Sequence, residues 1–405
     1  MTKHAHSCVV IFLVAAVLTS CSTSGQPSAE TSQRLTSSQA VLAAPVGQQA
    51  QCGWKVENSA TIGNTVLSGL SADNLNDIWA VGFALPEVPP TTPVVEHFNG
   101  ANWTVTSAVG INNAVTEFTS VSALGPNNVW AAGSFFFPGP HILRTLSEHW
   151  DGTAWKVVPT VNPVTGTDYA ILSAILAIGP NDAWAAGVAT TGANLGHRPQ
   201  GHTLIEHWNG STWTVVASPD LGGGGFLHGL AGTGTNDVWA VGDGEGGVPL
   251  AEHWDGLRWS IVQMQAPNAG VVTLHAVTEV AANDVWAVGS VGLNSDATFT
   301  EHWNGSSWTI VPSPHAAGEK DFLIAVSHTG RQDVWAAGYT QSASAETTLA
   351  MHWNGSRWTV AATKNPVQGS QPLTDSFAGI VALSPKDVFA AGRNFASSLV
   401  EEFCR

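Results

Sequence analysis

Apolar and polar positions along this chain recur in a fixed order. A short apolar stretch such as "TSVSAL" (119–124) is followed by a polar pair and a second apolar stretch, "NNVWAAG" (127–133). A variable segment then leads to a third stretch ending in "EHW" (148–150), a polar turn, and a fourth stretch opening at Trp155. The second stretch returns as "NDIWAVG" (76–82), "NDAWAAG" (181–187), "NDVWAVG" (236–242 and 283–289), "QDVWAAG" (332–338) and "KDVFAAG" (386–392). The third returns as "EHF" (96–98), "EHW" (206–208, 252–254 and 301–303), "MHW" (351–353) and "EEF" (401–403). Seven periods of roughly 50 residues mark a repeat architecture. Each stretch is short, rich in Val, Ile, Thr and Trp, and bounded by Gly, Pro, Asn or Asp, so each period predicts four strands.

Between the third and fourth stretches stands Asn-Gly or Asp-Gly, as in "WNGSTW" (208–213). Such a pair predicts a tight type I′ hairpin, with positive φ at both residues. Four antiparallel strands cannot bury both faces alone, so seven such blades must stack in a ring, an all-β seven-bladed β-propeller over 52–405. The seventh period breaks off after its third stretch, at "EEFCR" (401–405), and its missing fourth stretch is found at "CGWKV" (52–56). The N-terminal strand therefore closes the last blade. Laid onto "WNGSTW", Cys404 takes the Asn slot and Cys52 the first Ser slot, within the roughly 6 Å reach of a disulfide.

Three aromatic slots per blade account for all 18 Trp together with Phe98, Phe389 and Phe403. Residues that recur at every period are expected to pack blade against blade rather than to stack on a ligand. The Glu-His pairs of the third stretch could pass for metal ligands or acid–base pairs. Neighbours on a strand point to opposite faces, so the pair cannot serve one ligand. Repeated hydrogen bonds are expected instead, the histidine reaching the Asp of the "NDVW" turn.

The N-terminus carries other chemistry. Lys3 precedes the apolar run "VVIFLVAAVL" (9–18), far short of the roughly 20 residues of a spanning helix, so 1–20 reads as a secretory signal. The run closes on "LTSC" (18–21), which resembles the lipobox of bacterial lipoproteins. That resemblance implies cleavage before Cys21, lipidation of its sulfur and an extracytoplasmic, membrane-anchored protein. Residues 21–51 are small and polar and read as a flexible tether. Cys8 leaves with the signal and Cys21 is lipidated, so Cys52 and Cys404 are left to pair, which needs an oxidising compartment.

With 30 acidic against 14 basic residues, the chain repels phosphate backbones, and nucleic acid is not an expected partner. The short turns within blades are nearly alike, whereas the connections on the opposite face are long and unlike one another. Binding residues sit on variable loops of rigid scaffolds. His228 and His275, in one slot of adjacent blades 4 and 5, are expected close together near the channel mouth, where other blades carry Ser68, Thr119, Ser173, Ile324 and Ala378. His197, Arg198 and His202 in the longest loop and Phe136 within "FFF" (135–137) are the next candidate ligand contacts. Phe136 could equally continue its strand into the core. No cofactor or metal is expected; calcium in "GDGEGG" (242–247) is the open alternative, without EF-hand spacing.

In period, strand content and closure by the N-terminal strand, 52–405 resembles the seven-bladed propellers of the kelch and galactose oxidase type. Copper oxidases of that type crosslink a tyrosine to a cysteine; Tyr169 and Tyr339 are the only tyrosines here and no cysteine is left free. The expected function is binding of a glycan, peptide or envelope protein by a monomer, through the variable face. The alternative is a hydrolase or lyase at the channel mouth, with His228 and His275 as its acid–base pair.

Overall fold

The computed structural model describes residues 52–404 apart from 61–62, 85–91, 139–141, 167, 192–199, 268–269, 293–296, 316–318, 367–373 and 396. The signal, the tether and Cys21 lie outside the described residues, as do His197 and Arg198. Residues 52–405 form one compact unit. Its strands make seven four-stranded antiparallel sheets. In six of them the strands follow chain order, as in blade 1, with Thr65–Asn74, Asp77–Ala84, Pro93–Phe98 and Trp103–Thr106. In the seventh the order from the inside is Asp375–Ser384, Asp387–Asn394, Ser397–Phe403 and then Trp54–Val56. Trp54 pairs with Phe403, so the first strand of the domain completes the last blade. The Cys52–Cys404 disulfide seals that seam, with α-carbons 4.7 Å apart.

The first strands of successive blades touch one another all the way round, including the first strand of blade 7 against that of blade 1, and so surround the central axis. Tryptophans fill the wedges between blades. Trp130 meets Trp208 and Trp213 of the next blade at ring distances of 5.2 and 5.4 Å, and Trp239 meets Trp303 and Trp308 at 5.3 and 5.4 Å. Where the ring closes, Trp335 packs on Phe403 and Trp54, and Phe389 on Phe98. The aromatic slots are therefore interblade packing, as the period implies. Each aromatic buries a large area, and edge-on contacts of this kind add about 0.5–1.5 kcal/mol beyond it.

The hairpin turns depart from expectation. Gly210 has φ of 92°, but Asn209 is not in the left-handed region, and Trp208 pairs with Trp213 across a four-residue loop. Asn209 Oδ1 accepts the amides of Ser211 and Thr212, each at 3.0 Å. The side chain thus replaces the second positive φ with an Asx turn, and Asp151 and Asp255 do the same in blades 2 and 4. These turns do not require type I′ geometry, which is why Asp substitutes freely for Asn.

Every first strand carries one β-bulge near its start. The unpaired residue is Ser68, Thr119, Ser173, His228, His275, Ile324 or Ala378. The residue before it is always large and apolar and fully buried: Leu67, Phe118, Leu172, Leu227, Leu274, Leu323 and Phe377. The residue after it is small because the next blade's backbone is close: a β-carbon on Gly229 would sit 2.9 Å from the Cα of Ala276. Uniform neighbours thus hold one chemically free position per blade at the inner wall.

Candidate functional site

The repeated Glu-His pairs are structural. Each histidine Nε2 donates to the turn residue at the start of the second strand: His97 to Asp77 at 2.8 Å, His207 to Asp182 at 2.8 Å and His253 to Asp237 at 2.6 Å, with Asn128 serving His149. The same imidazole stacks on the second-strand tryptophan, with ring centres 4.1 Å apart for His97 and Trp79. The glutamates face the other way, into the junction with the preceding blade. Glu148 accepts the amides of Val109 and Gly110, Glu206 that of Val161, Glu301 that of Gln265 and Glu401 that of Lys364. Glu96 does the same for Ala60 where the ring closes.

Burial drives up the pKa of these carboxyls, to about 7 for Glu206, Glu301 and Glu401, against an ordinary 4.5. The native state therefore holds protons that the unfolded chain releases. Stability from these groups is complete below about pH 4.5 and is lost as pH rises through about 7. Burial lowers His149 and His328, whose contribution is lost instead as pH falls below 6.5. The urea midpoint is expected to fall between pH 6.5 and 8.5, and Glu301→Gln to flatten that fall. An alkaline limb unchanged in the variant would refute this source.

The chemistry that varies from blade to blade gathers at the inner wall. His228 and His275, both half-buried, have ring centres 6.1 Å apart. His228 Nε2 donates to Asp243 Oδ1 at 2.9 Å. Asp243 is the carboxylate partner that the sequence reading lacked. It stands at the end of the second strand of the same blade, opposite Phe226 in register. Antiparallel pairing brings this residue, 15 positions on in the sequence, to the same lip. His275 has its pKa pushed down to about 3 by burial and by His228, so it stays neutral.

Around the same end of the inner wall the register-equivalent pairs differ. Blade 6 stacks Phe322 on Tyr339 at 4.8 Å, and blade 7 presents Arg393, held by Glu346 at 2.8 Å and Ser376 at 3.2 Å. In blade 2 burial raises the pKa of Glu117. The wall thus combines aromatic faces with donors and acceptors of both signs, the mixture by which pockets orient a ligand.

Of the other candidates, His202 is a buttress. Its Nδ1 donates to Asp220 Oδ2 at 2.7 Å, and Asp220 also accepts the amide of Thr203 at 3.0 Å. Phe136 ends the strand Val129–Phe136 opposite Val115, half-buried. Phe135 packs into the junction of blades 1 and 2, while Phe137, edge-on to it, is half exposed. The strand does continue through Phe136, and of the three rings Phe137 is the one exposed to solvent. In "GDGEGG" Asp243 is engaged by His228, leaving Glu245 exposed. A shallow depression of about 430 Å³ on the opposite face, lined by Leu124–Asn128 and Ile178–Pro180, contains no ionisable side chain.

Fold and site together define a seven-bladed β-propeller whose uniform turns face one way and whose varied loops and inner-wall residues face the other. No family model matches the chain, and no curated protein matches it. Solved structures do share the fold. One is YCF48 bound to D1 peptide, with a TM-score of 0.54 and 16% identity over 89% of this chain and 99% of that one. YCF48 from Cyanidioschyzon merolae gives 0.52 and 14% over 87% and 99%. A polysaccharide lyase, PL25 ulvan lyase bound to -[GlcA(1-4)Rha3S]-, gives 0.53 and 10% over 85% and 95%. At these identities the likeness shows the fold alone.

Proposed function

We propose that this protein is a binding module of the kelch-like propeller type, tethered outside the cytoplasm through a lipid on Cys21, which recognises a glycan, a peptide or an envelope protein on its variable face. The observation that carries the reading is the row of bulges. A repeated scaffold holds five residue types, Ser, Thr, His, Ile and Ala, at seven equivalent inner-wall positions, and bulges re-aim side chains beside functional sites. Scaffold constancy with variation at one position is what a recognition surface needs. The disulfide supports an oxidising compartment. Propellers of this fold carry a peptide in YCF48 and a polysaccharide in the ulvan lyase. Both ligand classes are therefore compatible with the scaffold.

One observation favours a second reading. The Asp243 carboxylate orients His228, as in general-base pairs, and the neutral His275 ring lies 6.1 Å away. A hydrolase or lyase would use that pair. Arrays of envelope polysaccharides and peptides, probed with residues 51–405 with and without calcium, separate the two. Saturable binding that weakens at least about tenfold in a His228→Ala/His275→Ala variant, with no turnover, supports the module, since about 1.4 kcal/mol of lost contact gives that factor. Product release by wild type alone supports the enzyme. Unaltered binding in the variant removes the site.

A further inference from the structure

The glutamate clamps follow a strict rule, and one of them breaks it. In every intact clamp the donor is the amide six residues after the fourth-strand tryptophan: Ala60 after Trp54, Val109 after Trp103, Val161 after Trp155, Gln265 after Trp259 and Lys364 after Trp358. At the two remaining junctions that position is a proline, Pro219 after Trp213 and Pro314 after Trp308, and proline has no amide hydrogen to give. Opposite Pro314 the glutamate is replaced by Met351, which is fully buried, so donor and acceptor are lost together. Opposite Pro219 the glutamate remains. Glu252 is 0% exposed and, among the described residues, neither of its carboxyl oxygens has a hydrogen-bond partner.

The linker that Glu252 fails to hold is also unusual. It runs from Val216 to Gly224, ends in three of the four consecutive glycines 222–225, and puts Gly222 and Gly224 at positive φ. It carries Asp220, which positions His202 and Thr203 on the variable face. Among the described residues, the charged groups around Glu252 leave it no cation. From the linker, Asp220 opposes its ionisation. On the third strand of blade 3, His202 is committed to Asp220, and Glu206 turns to Val161. On the second strand of blade 4, Asp237 and Asp243 are taken by His253 and His228, and the fourth strand Trp259–Ile261 has no titratable group.

We propose that the junction of blades 3 and 4 is a pH-gated seam: the linker 216–224 stays packed while Glu252 is protonated and opens when Glu252 ionises, carrying Asp220 away from His202 and Thr203. A buried carboxylate with no donor must find water, and a glycine-rich linker without its clamp is the part of this junction that can move to admit it. The sign follows from burial, which pushes the Glu252 pKa up to about 8 against 4.5 for the exposed carboxyl. Opening is therefore favoured progressively from about pH 4.5 and levels off above about 8. The gating of the junction stands on the clamp geometry. Its consequence for a ligand rests on the proposed function of the variable face.

Hydrogen exchange on residues 51–405 without ligand tests the seam independently of any binding. After correction for intrinsic rates, the amides of Val216, which donates to Ile205, and Thr203, which donates to Asp220, are expected to lose protection by up to about tenfold per pH unit between pH 5 and 7.5. The corresponding linkers at Gln265, which has a donor, and at Pro314, which faces methionine, should change far less. Glu252→Met copies the junction of blades 5 and 6 and should make the seam insensitive to pH. Pro219→Ala restores the donor and should shift the transition to lower pH while reducing its amplitude. If Glu252→Met does not fold, Glu252→Gln serves, since it cannot ionise. An equal pH response in wild type and the Glu252 variants, or an equal response at all three linkers, overturns the proposal. Failure of every ligand screen with the seam response intact would sink the binding reading and leave the gate.

Discussion

Cys404→Ser is expected to lower the unfolding free energy by about 2–5 kcal/mol and to make the seventh blade the first to open. The bond joins residues 352 apart in sequence, so nearly the whole propeller lies inside the loop it closes. Chain entropy alone, at about 2.1 + 1.5R ln n in cal/mol/K, sets a ceiling near 6 kcal/mol for so long a loop. The native contacts that remain at the seam are few. The closing strand Trp54–Val56 is three residues long and pairs with Phe403, Glu402 and Glu401. Lys55 bonds Glu402 at 2.9 Å, but Lys55 is half exposed and the pair adds little. Most of the hold comes from Trp54, buried against Trp335 and Phe377. Without the disulfide this strand can leave as a unit and expose the edge of blade 7. Urea unfolding of the oxidised and Cys404→Ser proteins, read by tryptophan fluorescence, checks the loss, and exchange at Lys55–Val56 checks where opening begins. A change below about 0.5 kcal/mol would mean that the packing of Trp54 closes the ring unaided.

The closure was legible because the sequence carries it twice, as a truncated last repeat and as an orphaned first strand, each with one cysteine. Blade number, strand order and aromatic packing were legible for the same reason, since seven copies average out local ambiguity. Three features were not. Asn-Gly favours positive φ at both positions and so points to type I′ hairpins, whereas Asn209 spends its side chain on two amides and needs only Gly210 to be left-handed. Asp243 was missed as the partner of His228 because its place beside the bulge depends on the strand register, which the sequence alone does not give. The proline rule at Pro219 and Pro314 was present in the sequence, but it has meaning only once the glutamates are seen to grip the linkers. His228 and His275 could be paired from the repeat alone, because equal slots of adjacent blades must be neighbours.

Gly242→Ala is expected to be the most damaging small substitution in blade 4, costing about 3 kcal/mol or more or preventing folding, because the clash is with backbone. The glycine of "VWAVG" recurs in all seven blades for one reason. The first-strand bulge pushes a carbonyl over the second strand, and a β-carbon there would sit 1.8 Å from the oxygen of Phe226 in blade 4 and 1.9 to 2.0 Å from its equivalents elsewhere. No rotamer relieves such a contact, since both atoms belong to the main chain. The first strand must lift, and with it goes the bulge that holds His228 beside Asp243 and His275. The expected result is therefore double: a lower unfolding midpoint, and loss of the His228 Nε2–Asp243 bond, visible as a change in the His228 ring resonances. Ala231→Gly, three residues past the bulged His228 on the first strand and also buried, removes packing without touching the bulge and should leave that bond in place. If Gly242→Ala folds with less than about 1 kcal/mol of loss, the bulge is soft, and a soft bulge cannot hold the varied side chains of the seven blades at fixed positions around the axis. The case for a recognition surface at the inner wall stands or falls with that rigidity.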